Sequence, residues 1–179
     1  MRFKRAGLCL VLALCLATTA VIELQPTLGQ ADQKQAQEDL GELVKKADAQ
    51  FDKKNYAAAA KTYQQRIAAE PHDEAWRHAV KRNIVCHLRL QLFDDALAAA
   101  EQYIKDVSGT PYEARAERLA GNLYMTIPHW GTRAGGKFHR AQYKQGIRVR
   151  SETHDKGKAM AHLERARALY RGVLDQDPE

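Results

Sequence analysis

Residues 56–71 read YAAAAKTYQQRIAAEP, and this stretch constrains the fold more than any other. An aromatic at Tyr56 is followed by small Ala59, then Tyr63, and Pro71 closes the run twelve residues past Ala59. A small residue facing a neighbouring helix permits close approach, flanking aromatics fill the gap between helices, and proline cannot extend the helix. A helix of this composition cannot bury its apolar face alone, so the chain must supply neighbours of similar pattern.

The pattern recurs. Phe93, Ala96, Ala100 and Tyr103 repeat the spacing, and Ala59 to Ala96 is 37 residues. Leu163, Ala166, Tyr170 and Pro178 give a third copy, with twelve residues again between the alanine and the proline. Helical partners precede each copy. The first, from Asp32 onward, carries Leu40, Leu43, Val44, Ala47 and Phe51, and Asp52-Lys53-Lys54-Asn55 makes the turn. The second has Asp73 as N-cap and Trp76, Val80, Ile84, His87 and Leu88 on one face. The third covers residues 114–124 with Gly121 at its small position.

A 34-residue unit of two helices with these small and aromatic positions resembles the tetratricopeptide repeat. The resemblance spans residues 32–178 and implies an all-α, short solenoid of about three helix pairs. It further implies a concave groove lined by the first helix of each pair. Carried over position by position, the groove takes Val44, Asp48 and Phe51 from the first unit. The second unit gives His78, Lys81, Val85 and Leu88, and the third gives Arg115, Arg118, Asn122 and Met125. Lys81, Arg115 and Arg118 make that groove positive, so the implied partner is a protein or peptide segment, acidic or ending in a carboxylate. The Asn and Lys set by which chaperone-binding members clamp a terminal carboxylate is not reproduced.

In the third pair, Gly121 to Pro178 is 57 residues where the repeat spacing is about 24. An insertion of about 33 residues therefore separates the two helices, at roughly 127–154, and Pro128 marks its start. Insertions in repeat arrays map to loops on one face, often the binding face, and one this long is expected to be functional or partly structured. Residues 137–145 suit two helical turns. Trp130, Arg133, Lys137, Arg140 and Lys144 form a candidate basic and aromatic patch, with Phe138 and Tyr143 beside them. The segment PHWGTRAGGKFHRAQYKQG, followed by SETHDKGKAMAHLERA, is similar to a region near the start of exported bacterial alpha-2-macroglobulin-like proteins. That resemblance implies a packing module at the N-terminus of a larger envelope protein, with no ligand of its own. The thioester CxEQ motif of those protease traps does not occur here, so trapping is not carried over.

Charge and targeting narrow the partners. Arg2, Lys4 and Arg5 precede an apolar run at 6–17 and small residues at Thr18, Thr19 and Ala20, the layout of a secretory signal. Residues 1–31 read as signal and tether, 32–179 as the repeat domain, and export points to a bacterial periplasm or cell surface. Membrane contact is expected only through the leader, if it is not cleaved. Beyond residue 31 the charge is 25 Lys+Arg against 21 Asp+Glu, or +4, while 127–154 alone has six cations and Glu152, or +5. The excess is local. Nucleic acid is not an expected partner of an exported chain, so the patch suits an anionic protein, peptidoglycan or lipid headgroup. Cys86 is the one thiol outside the leader and reads as a small core residue.

No catalytic or cofactor signature accompanies this. GTRAGGK at 131–137 matches a P-loop up to its last position, where Phe138 replaces the hydroxyl that Mg²⁺ needs, and no strand precedes it. The seven histidines form neither HExxH nor a His/Cys ligand pair, and neither Ser108 nor Ser151 lies in a GxSxG turn. The expectation is a non-catalytic interaction or scaffolding module without metal or cofactor. An enzyme would require His129, Lys137 and His139 to converge.

Overall fold

The computed structural model of the chain describes residues 27–69, 72–142 and 145–174. The chain divides into two compact units, Met1–Asp39 and Leu40–Glu179. The leader, Cys9 and Cys15 lie outside the described residues, as do Tyr143, Lys144 and Pro178. No described helix is long and apolar enough to cross a membrane.

Six helices, α1 (Thr27–Asp52), α2 (Tyr56–Ile67), α3 (Glu74–Arg89), α4 (Phe93–Asp106), α5 (Glu113–Thr126) and α6 (Glu152–Leu174), follow one another in the described chain. From Leu40 onward they pack in a row, a form compatible with a helical repeat. α1 takes in residues 27–31, ahead of the Asp32 start expected from sequence.

The turns within the first two pairs are built alike. Lys54 and Gln91 adopt left-handed φ values of 59° and 60°. The next residue donates its backbone N–H five residues back, Asn55 to Gln50 at 2.9 Å and Leu92 to His87 at 2.8 Å. This double reversal stops one helix and starts the next two residues later. Asn55 then caps α2 by accepting from Ala58 N, and Asp73 caps α3 by accepting from Trp76 N at 2.8 Å.

Two apolar clusters result. Ala47, Ala59, Ala60, Tyr63, Ala79 and Cys86 join α1, α2 and α3. A larger one runs from Trp76, Val80 and Ile84 through Ala96, Ala100 and Tyr103 to Ala120, Leu123 and Ala159, joining α3 to α6. The three repeat alanines are buried, Ala59 and Ala96 completely and Ala166 to 3% exposure. α6 lies against α5, and a Cβ at Gly121 would meet Leu163 Cγ at 2.8 Å.

The insertion corrects the all-α expectation. It forms a three-stranded antiparallel sheet of β1 (Trp130–Ala134), β2 (Lys137–Arg140) and β3 (Ile147–Arg150), in the order β2-β1-β3. Of residues 137–145, where two helical turns were expected, Lys137–Arg140 is strand, and Tyr143 and Lys144 lie outside the described residues. Gly135 and Gly136, with φ of 55° and 75°, instead make a two-residue hairpin turn of the kind that matches strand twist. The P-loop-like GTRAGGK is therefore part of a β-hairpin, with Gly135 and Gly136 at the tip. Gly131 has no room for a side chain, since a Cβ there would lie 2.2 Å from His139 O.

Candidate functional site

α3 and α5 face each other across a cavity of about 540 Å³ floored by Tyr103 of α4. Helical spacing puts Arg77, His78 and Lys81 of α3 on its wall, and Arg115, Arg118 and Asn122 of α5 opposite them. Five of the eleven expected groove positions, His78, Lys81, Arg115, Arg118 and Asn122, are thus brought together. Val85 and Leu88 are not among them, because Val85 is half-buried beyond the cavity and Leu88 turns onto the larger core. Met125 stands 48% exposed, also outside it.

Five lining residues, Glu74, Arg77, Tyr103, Tyr112 and Leu119, were not among the expected groove positions. The Arg77 guanidinium lies 3.8 Å from the centroid of the Tyr112 ring, a cation–π contact that holds the charge at the rim. The i, i+4 relation of Arg77 to Lys81 was the available signal. Four cations, Arg77, Lys81, Arg115 and Arg118, line the cavity against the single anion Glu74, or +3.

The first-unit positions are engaged elsewhere. Asp48 accepts from Tyr63 Oη at 2.5 Å and pairs with His78 Nε2 at 2.9 Å. Arg82 stands 4.0 Å from the same carboxylate and stacks on Phe51, while Val44 is half-buried. Burial alone would raise the Asp48 carboxyl, but the Tyr63 and His78 hydrogen bonds outweigh it and hold it below the usual range. Asp48 consequently anchors one edge of His78 and is committed to that internal pair.

A polar cluster ties α5, which carries Arg115 and Arg118, to α4 and α6. His162 of α6, 2% exposed, pairs with Glu117 Oε2 at 2.6 Å and Glu101 Oε1 at 3.2 Å. Tyr124 Oη donates to Glu101 at 3.1 Å and Arg165 Nε to Glu117 at 2.9 Å.

The expected insertion patch is divided by the sheet. Arg133 and Lys137 are exposed, and Trp130 is 39% exposed. Arg140 is no surface residue. Its guanidinium donates to Asp155 at 2.6 and 3.2 Å, to Pro128 O at 2.8 Å, to Ser151 Oγ at 3.0 Å and to Asp94 at 3.1 Å. Asp155 is fully buried and also accepts from Ser151 Oγ at 2.6 Å and pairs with His129 Nδ1 at 3.0 Å. Arg140 thereby fastens the sheet to α4 and α6. A second recess, of about 630 Å³, lies between Trp130, Arg148, Arg150, His129 and Glu152.

His129, Lys137 and His139 do not converge. His129 is tied to Asp155 at the base of the sheet, whereas Lys137 pairs with Ala134 at the hairpin turn. Three residues of strand, about 10 Å, separate that turn from the Gly131–Arg140 pair near the base.

No protein-family model, no curated protein and no solved structure matches the chain. Fold and site define a row of packed helices that carries a small sheet and presents a cationic cleft between α3 and α5.

Proposed function

We propose that the chain is a tetratricopeptide-type interaction module of an exported protein, and that the α3–α5 cleft binds an acidic, extended segment of a partner. The observation that carries this reading is the set of four cations around one cavity opposed by Glu74 alone. The alike turns at Lys54 and Gln91 and the buried repeat alanines support the repeat assignment. Binding is non-catalytic. Cationic walls steer and register an anionic segment, while Tyr112 and Leu119 offer it apolar contact.

The test is fluorescence anisotropy with fluorescein-labelled hexaglutamate, with hexalysine as control. Wild type is expected to bind the acidic peptide in a salt-sensitive way, and Lys81→Glu with Arg118→Glu to weaken it at least about tenfold. Identical titrations for wild type and the double variant would refute the cleft as the site. They would leave the packing role, at the N-terminal region of a larger envelope protein such as an alpha-2-macroglobulin-like trap.

A further inference from the structure

The sheet has two unlike ends. At its base, Arg140, Pro128, Ser151 and Asp155 bind it to the helices. At the other end the register sets Arg133 opposite Ile147 and Ala134 opposite Lys137, beside the Gly135-Gly136 turn. Ile147 there is 73% exposed, the highest value among the exposed large apolar residues, and belongs to neither apolar cluster. Arg133, its cross-strand partner, is exposed as well, as are Arg148, the next residue of β3, and Lys137 at the start of the far strand β2. Residues 130–150 contain no Asp or Glu at all.

We propose that this end of the sheet is a docking tip for an anionic phospholipid bilayer, with Ile147 entering the headgroup layer and Arg133, Lys137 and Arg148 lying among lipid phosphates. An exposed apolar side chain on a sheet end that carries cations and no carboxylate is matched by a surface that is anionic outside and apolar just beneath. An acidic protein face would satisfy the cations but leave Ile147 against charge. Single-stranded nucleic acid would need exposed rings to stack on, and the described exposed ring of the sheet, Trp130, is opposite Arg150 at the base. This contact is separate from any made by the leader, and it is independent of the α3–α5 cleft.

Each cation near an anionic leaflet is worth about fivefold in partitioning, so three give on the order of 100-fold. The test is co-sedimentation of the full chain with vesicles of equal phosphatidylglycerol and phosphatidylcholine, against pure phosphatidylcholine. The apolar N-terminal run contributes to both, and the difference between them reads the charge. The triple variant Arg133→Gln, Lys137→Gln, Arg148→Gln is expected to lose on the order of 100-fold of the anionic-vesicle binding. Ile147→Asp is expected to weaken it further, while Lys81→Glu with Arg118→Glu binds as wild type does. Circular dichroism verifies that each variant stays folded. In a second measurement, the added fluorescence of Ile147→Trp should be quenched by brominated lipid only in anionic vesicles. Equal binding to both vesicle types, a triple variant indistinguishable from wild type, or no quenching at position 147 would each overturn the proposal. Tip-dependent binding of hexaglutamate in place of vesicles would reassign the tip to an acidic protein.

Discussion

Replacing Asp155 by asparagine keeps the shape of the side chain and removes the charge that neutralises Arg140. Both groups are buried, at 0% and 6% side-chain exposure. Taking one partner from such a pair costs about 3–5 kcal/mol, because the other charge stays in low dielectric. Asp94 still reaches Arg140 Nε at 3.1 Å, so the lower end applies, about 3 kcal/mol. For a chain of this size that is a fall in Tm of about 6–12 °C. Replacing both members at once, Arg140→Met with Asp155→Leu, leaves no orphaned charge from the pair and is expected to cost less than Asp155→Asn alone. The pH dependence gives an independent reading. Burial alone would raise the Asp155 carboxyl, yet hydrogen bonds from Arg140, Ser151 and His129 outweigh it and hold it below the ordinary carboxylate range. A carboxylate depressed on folding stabilises fully above its unfolded value, about 3.9, and loses that contribution as the pH falls below it. Thermal unfolding followed by circular dichroism should therefore show a wild-type loss as the pH falls below about 4 that Asp155→Asn flattens. A Tm drop under about 2 °C, or single-variant costs that simply add in the double, would refute the buried-anchor argument.

Two further substitutions probe the helix pairs. Gly121→Ala gains about 1 kcal/mol of helix propensity, but its Cβ would press on Leu163 Cγ at 2.8 Å and Ala159 O at 3.1 Å. Overpacking of about 1–3 kcal/mol should win, so the urea midpoint falls, and a rise would show that α5 and α6 are looser than described. Gln91→Gly relieves a left-handed residue at φ 60° and should raise the urea midpoint by an amount equivalent to about 1 kcal/mol, with Gln91→Val moving it the other way.

The helix pairs were legible because their signal is local. Aromatic and small residues at fixed helical offsets announce which face is buried, and Ala59, Ala96 and Ala166 are buried accordingly. Half of the cleft was readable for the same reason, since His78, Lys81, Arg115, Arg118 and Asn122 follow from helical phase. Val85, Leu88 and Met125 were not, because the cavity takes in only part of each helix. The sheet was misread although its clues were present. Adjacent glycines between two short runs are a two-residue hairpin signal, and IRVR at 147–150 alternates with period two. The expectation of two helical turns over 137–145 covered the strand that follows those glycines. Arg140 was placed on the surface because an isolated arginine usually belongs there. Its partners Asp155 and Asp94 are 15 and 46 residues away, and no local pattern points to them.

The buried Asp155 has a consequence for any attempt to prune the insertion. The base of the sheet is stitched shut, with Ser151 N donating to His129 O at 2.8 Å, so a short graft from α5 to α6 is geometrically easy. Cutting away 130–150 would nonetheless leave the opening turn of α6 with an interior carboxylate and no counterion of its own from β2. The sheet is therefore no passenger: an amputated version folds well only if position 155 is rewritten in the same stroke.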